Sequence, residues 1–238
     1  MLYVVVNGFW STRDDSLGDI ADRWFATLTG LKGLDAASFD TWHEAGEDLP
    51  TDPVLRPSAS VLAEYIARTN TGPDLDVVGY SASLWAQNSG RPRVVTAIRA
   101  GGSSPYITHS ISLTFRSRAV DESDEVIRRA PEILRLLADT WGIDAGQVYN
   151  KSQYRAVSEA FDLANSDPRC GRAVYLSPQR AALAPDALPG TYTRTAGGGL
   201  VIDLTRGGTE TPSNETIIAA NRELRAAGTL GAPPAPPG

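Results

Sequence analysis

Three strand-forming segments follow one another between residues 77 and 116, and they limit the chain to folds built on antiparallel pairing. Val77–Gln87 and Arg93–Ala100 are separated by a connection containing Asn88-Ser89-Gly90, a turn signal between apolar runs that marks a hairpin. The third segment, Thr108–Arg116, alternates Ile111, Leu113 and Phe115 with polar neighbours. That period of two describes a strand with one buried and one polar face. Such short connections leave no room for crossover helices.

The segments on either side add helices to this sheet. Leu2–Asn7 reads as a first strand, rich in β-branched residues. Ser16 and Asp19 then form an S-x-x-D capping box ahead of the apolar stripe Leu17, Ile20, Ala21, Trp24, Leu28 and Leu31. The same helical period places Asp15, Asp19 and Asp22 on the opposite face, and the helix is predicted to end near Gly30–Gly33. Residues 34–57 read as a long irregular connection holding Phe39, Trp42, Pro50 and Pro53, with Pro57 opening a second helix over 58–69 that buries Leu62, Tyr65 and Ile66. A helix over about 124–140 follows the three strands, started or kinked by Pro131.

In the second half, Ser152–Ala164 reads as helix and Ala173–Leu176 as a strand. Tyr192–Thr195 and Leu200–Leu204 form a hairpin across Gly197-Gly198-Gly199, and Ser213 caps a last helix through Ala227. The predicted order is β-α-α-β-β-β-α and then α-β-β-β-α. The expected architecture is α+β, a mostly antiparallel sheet with helices packed on it. Residues 1–230 are expected to form one domain, or two lobes over about 1–145 and 146–230. The end, 231–238, holds four prolines and reads as a disordered tail.

Composition bounds the function. The chain has 238 residues, 42% of them apolar, enough for a substantial core. Its single cysteine, Cys170, excludes an intrachain disulfide and fits a reducing cytoplasm. No apolar run approaches the roughly 20 residues of a membrane span, and the five-residue run at the start is too short for a signal peptide. A cytoplasmic location is therefore expected. Net charge is −6, unevenly spread: residues 1–76 hold 13 acids and 5 bases, whereas residues 77–118 hold 5 arginines and no acid. The acidic front argues against nucleic acid as the partner. It suits a basic protein partner, or simply keeps the chain in solution.

Little in the sequence points to catalysis. His43 and His109 lie far apart, and neither has a second ligand at metal spacing. The glycine runs at 101–102 and 197–199 fit neither a dinucleotide fingerprint nor a P-loop. No cofactor and no metal is expected. Cys170, between Arg169 and Gly171-Arg172, has arginines able to lower its pKa, or else is a small buried residue.

The order of the short motifs resembles the immunity protein 52 family. Gly8-Phe9-Trp10-x-x-Arg13, an amphipathic helix and Phe39-x-x-Trp42 are similar to that family's start, and Gly79-Tyr80-Ser81-Ala82-Ser83-Leu84-Trp85 to its middle. Trp141, Tyr175-Leu176-Ser177-Pro178 and Gly198-Gly199-Leu200-Val201-Ile202 complete the likeness, which spans about residues 3–227. The resemblance implies a cytoplasmic immunity protein of a bacterial polymorphic toxin system. It implies as partner a cognate toxin encoded by a neighbouring gene, often a nuclease of the restriction-endonuclease type delivered by contact or by type VI secretion. It carries over no catalytic residue. Gly8, Trp10, Arg13, Trp42, Gly79 and Trp85 read as fold determinants of the signature.

Two surfaces are candidates for the partner. Asp14, Asp15, Asp19 and Asp22 make an acidic face suited to a basic nuclease surface, or a solvated helix face. Arg91, Arg93, Arg99, Arg116 and Arg118 make a rival surface suited to an acidic partner. Two other classes of function stay open: a hydrolase using a carboxylate or Cys170, and an adaptor recruiting partners through the proline-rich tail.

Overall fold

The structure, a computed structural model, describes residues 1–45, 52–165 and 167–231. The expected proline-rich tail lies outside the described residues beyond Gly231, as does Pro50 in the long connection. The fold is α+β with a mostly antiparallel sheet, as the alternation in 77–116 requires. The chain divides into two compact units: residues 1–3 with 9–126, and residues 4–8 with 127–238.

The first unit begins with the ends of β1 (Leu2–Trp10), followed by α1 (Leu17–Leu34), the short α2 (Ala36–Phe39), β2 (Trp42–Glu44) and β3 (Val54–Leu55). Then come α3 (Ala59–Thr69), a single helical turn α4 (Leu75–Val78), and the long strands β4 (Tyr80–Ala86), β5 (Arg93–Ala100) and β6 (His109–Ser117). Strand order is β3-β2-β4-β5-β6. The core lies between this sheet and the helices α1 and α3, which pack on each other, and it buries Trp24, Leu28, Leu31, Leu62, Ile66, Leu84 and Leu113. Trp24 Nε1–H donates to Thr96 Oγ1 on the buried sheet face at 3.5 Å. Phe39 stacks on Trp42 and meets Phe115 edge-on, so the connection read as irregular contributes an aromatic end to the core.

Sequence expectation and structure differ at instructive places. Residues 77–78 were expected to open a strand but close a helical turn, because Gly79 at φ +74° reverses the chain before β4 starts. Ser58 caps α3 by accepting from Val61 N–H at 3.2 Å, which puts Pro57 before the cap rather than inside the helix. Among the described residues β4 pairs with β2 at Trp85 and Leu84, and its Ser83 O accepts from Ala45 N–H at 3.3 Å. Beyond that, α3 satisfies its free edge: Tyr65 O–H donates to Ser83 O at 2.7 Å, and the Asn70 amide both donates to Ser81 O and accepts from Ser81 N–H.

The helix expected over 124–140 is two helices, α5 (Glu125–Arg128) and α6 (Ala130–Trp141). Pro131 lies in the first turn of α6, where its missing N–H costs nothing, while its ring cannot follow a continuous helix. The second unit continues with β7 (Ala145–Asn150), α7 (Lys151–Phe161), β8 (Ala173–Leu176), α8 (Pro178–Ala181), β9 (Thr191–Arg194), β10 (Leu200–Asp203) and α9 (Asn214–Ala226). The order is β1-β7-β8-β10-β9, with Val4–Gly8 supplying the β1 part. α6 packs on one face through Leu134, which lies 2.8 Å from where a Cβ on Gly146 would sit. On the other face Val174, Leu176 and Ile202 join Val157, Ile217 and Leu224 of α7 and α9.

Candidate partner-binding surface

The N-terminal acids separate into two kinds. Ser16 caps α1 with both halves of the capping box made: it accepts from Asp19 N–H, while the Asp19 carboxylate accepts from Ser16 N–H and Oγ–H, the latter at 2.6 Å. Those bonds hold the Asp19 carboxyl below its usual range. Because the helix begins only at Leu17, Asp15 lies before it and not on the acidic helix face that the 100° period suggests. Its carboxylate is buried and accepts from Arg13 Nε at 2.8 Å and Arg23 Nη1 at 2.6 Å. Asp14 and Asp22 are exposed. Of the four acids, one is consumed by an internal ion pair and one by a cap.

Several residues of the motif series pack tightly within their own unit. Trp10 is buried, edge-on to His109 at 6.0 Å, with the Arg13 guanidinium over its ring at 5.4 Å. Burial pushes the His109 imidazole below its ordinary pKa, against the Gly102 backbone and the Asp15 charge, which raise it. Gly8 lies against Ile143, 2.6 Å from where a Cβ would stand. Gly79 combines φ +74° with the Ala100 carbonyl 2.5 Å from its absent Cβ. Trp42 is buried in the aromatic end of the core.

Trp85 has a different setting. Its register partner His43 stacks on it at 4.2 Å, Arg93 lies over it at 4.7 Å, and its Nε1–H donates to Asp52 Oδ2 at 2.8 Å. These groups open the sheet face turned away from α1 and α3. The pairing puts Ser81, Ser83 and Trp85 of β4 beside Arg99, Ala97 and Val95 of β5, and those beside Ser110, Ser112 and Thr114 of β6. Apart from Trp85, every one of these residues is half-buried or exposed, while their neighbours Val94, Thr96, Leu113 and Phe115 are fully buried.

The arginines gather on this open face. Arg93 stands directly opposite Arg116, and Arg116 lies over the Tyr3 ring at 5.3 Å. Desolvation, and then the Arg116 charge, lower the pKa of Arg93. Arg91 pairs with Asp124 at 3.7 Å, but Arg93, Arg99, Arg116 and Arg118 make no ion pair among the described residues. At the Arg93 end an open basin of about 510 Å³ is lined by Asn88, Arg91, Arg93, Arg116, Ser117 and Arg118 among others. The charge pattern groups these arginines in the sequence, but it gives no sign that His43 and Tyr3 lie beside them. Counting strand parity from Arg93 and Arg116 was the signal available.

Cys170 is fully enclosed, and burial pushes its thiol up to about 12. Its backbone is clamped by Asn221, which donates to Cys170 O at 2.7 Å and accepts from Cys170 N–H at 2.9 Å. A thiol so placed supplies almost no thiolate near neutral pH. Among the described residues, no cluster of three or more His, Cys, Asp or Glu side chains is arranged to hold a metal ion, and no helix is long and apolar enough to cross a membrane.

No protein-family model matches the chain, and no curated protein matches it. Its structure is similar to that of a T6SS protein of Pseudomonas aeruginosa, with a TM-score of 0.53 at 12% identity, covering 95% of this chain and 73% of that one. At that identity the likeness establishes a shared fold.

Proposed function

We propose that the protein is an immunity protein that binds a cognate polymorphic toxin delivered by type VI secretion and neutralises it in a stoichiometric complex in the cytoplasm. The observation that carries this reading is the fold shared along 95% of the chain with a T6SS protein. The motif order from Gly8 to Ile202 supports the same reading through its resemblance to immunity protein 52. The enclosed Cys170 thiol, pushed up to about 12, weighs against the enzymatic alternative that rests on it. The toxin proposed is a nuclease of the restriction-endonuclease type, as the resemblance implies. Co-expression with the toxin module of the adjacent gene tests the reading. Restored growth together with co-purification is the expected result. Growth arrest despite soluble expression of both chains would sink it.

A further inference from the structure

We propose that the open face of β4, β5 and β6 is the docking surface for the toxin, and that it receives a carboxylate-rich segment of it. This rests on the reading above that the partner is a toxin protein. The face carries Arg93, Arg99 and Arg116 with no acid among its strand positions; the one carboxylate acting on Arg93, that of Asp52, is already bonded by Trp85 Nε1–H, and the chain as a whole has a net charge of −6. Like charges directly opposite on neighbouring strands repel, so Arg93 and Arg116 are an unfavourable internal arrangement. Arg93 Nε is buried with no hydrogen-bond partner among the described residues. An incoming carboxylate relieves both conditions, because guanidinium groups bind it through parallel charge-assisted hydrogen bonds.

The rest of the face fits a protein contact. Ala97, Ser83 and Ser112 are small and adjacent, which leaves the middle of the sheet open to an approaching backbone. The half-buried rings of His43, which stacks on the buried Trp85, and Tyr3 supply aromatic area beside the arginines, and aromatic and arginine side chains are the usual anchors of interfaces. A nucleic acid carries its charge along its whole length and meets the repulsion of the net acidic chain beyond the arginines, whereas a carboxylate-rich segment of a protein brings its charge only to the arginines. The acidic tip of α1 is the weaker surface: Asp15 is internally paired and Asp19 is bound in its cap.

The test measures affinity of the full chain for the co-purified toxin module, by calorimetry at two salt concentrations. Arg93→Glu/Arg116→Glu is expected to lower affinity about 100-fold, and Arg93→Gln/Arg116→Gln to lower it less while flattening the salt dependence. Asp14→Lys/Asp22→Lys is expected to leave affinity unchanged, and soluble oligoglutamate is expected to compete with the toxin. Circular dichroism confirms that each variant is folded, and the glutamine pair serves if the glutamate pair is not. Wild-type affinity in a folded glutamine pair overturns the proposal, as does loss of affinity confined to the Asp14/Asp22 variant. Binding of a labelled oligonucleotide that the glutamine pair abolishes also overturns it, in favour of nucleic acid. A wild-type chain that captures no toxin overturns the immunity reading itself, and the toxin assignment of this face falls with it.

Discussion

Arg23, inside α1, donates from Nη1 to Oδ1 of Asp15 at 2.6 Å, so the acid that precedes the helix is held by a base within it. Arg13 completes the arrangement from the other side. The carboxylate is buried and each arginine about a third exposed. Asp15→Asn keeps the shape and removes the negative charge that Arg13 and Arg23 both bond. It is expected to lower stability by about 1–3 kcal/mol, less than for a wholly buried pair because water reaches both arginines. Asp22→Asn, on an exposed site, is expected to stay within about 0.5 kcal/mol. Urea denaturation of both variants checks this, and equal losses would contradict the placement of Asp15.

His109 gives the fold a pH dependence of defined sign. Above about 6.5 the ring is neutral in both folded and unfolded chains and contributes no slope. Below it the unfolded chain takes a proton that the folded chain refuses, because burial has lowered the folded value. Stability therefore falls as pH drops from about 6.5 toward that lower value, by at most about 1.4 kcal/mol per pH unit from this group. Denaturation midpoints between pH 7.5 and 5.5 are expected to lose this component in His109→Gln. An unchanged slope in that variant would refute the assignment.

Gly79 and Gly197 predict opposite outcomes for the same substitution. Gly79→Ala forces an L side chain to φ +74° and drives its Cβ onto the Ala100 carbonyl, which belongs to the sheet and cannot swing away. The expected loss is about 2–4 kcal/mol. Gly197 has no atom within 4 Å of its Cβ position and no left-handed φ. Gly197→Ala is expected to stay within about 0.5 kcal/mol. Thermal unfolding of the pair distinguishes a required glycine from a permitted one.

What the sequence made legible was decided by period and length. The long strands β5 and β6, the strand 173–176 and the Ser213-capped α9 stand out because their patterns run for several residues between clear stops. β2 and β3, at three and two residues, are too short to show any period. β7 carries no strand signal, because Ala145-Gly146-Gln147 lacks the β-branched residues of an ordinary strand. Gly146 is there to let Leu134, Ile143 and the Asn7 carbonyl approach. The acidic face is misdrawn at Asp15 because the 100° period is carried back past the Ser16 cap, which the S-x-x-D box itself marks as the start of the helix. The arginine face was legible as charge but not as a surface, since that needs the register Arg93 to Arg116.

Cys170 is expected to behave as a core residue. With its thiol pushed up to about 12 and its backbone held by Asn221, it should resist a thiol-reactive disulfide reagent in the folded protein and react fully in denaturant. Cys170→Ala is expected to cost about 1–2 kcal/mol of stability, for the small cavity it opens, and to leave toxin capture unchanged. Rapid labelling of the native thiol would show that the site opens and would return a nucleophile to consideration.

The pairing of Arg93 with Arg116 makes a prediction that needs no partner. If two like charges face each other across β5 and β6, each should be better tolerated when the other is absent. The single changes Arg93→Gln and Arg116→Gln also lose the contacts of Arg93 with Trp85 and of Arg116 with Tyr3, so neither alone isolates the repulsion. A double-mutant cycle does. Because either change alone already removes the repulsion, the double variant is expected to be less stable than the sum of the single effects by about 0.2–1 kcal/mol. That coupling should shrink with added salt, because the exposed Arg116 is screened. A coupling of zero at low salt would mean that the arginines splay apart and carry no stored repulsion for a carboxylate to relieve. A coupling of the expected sign would mark this face as one where stability is given up to keep charge in place, as binding surfaces commonly do.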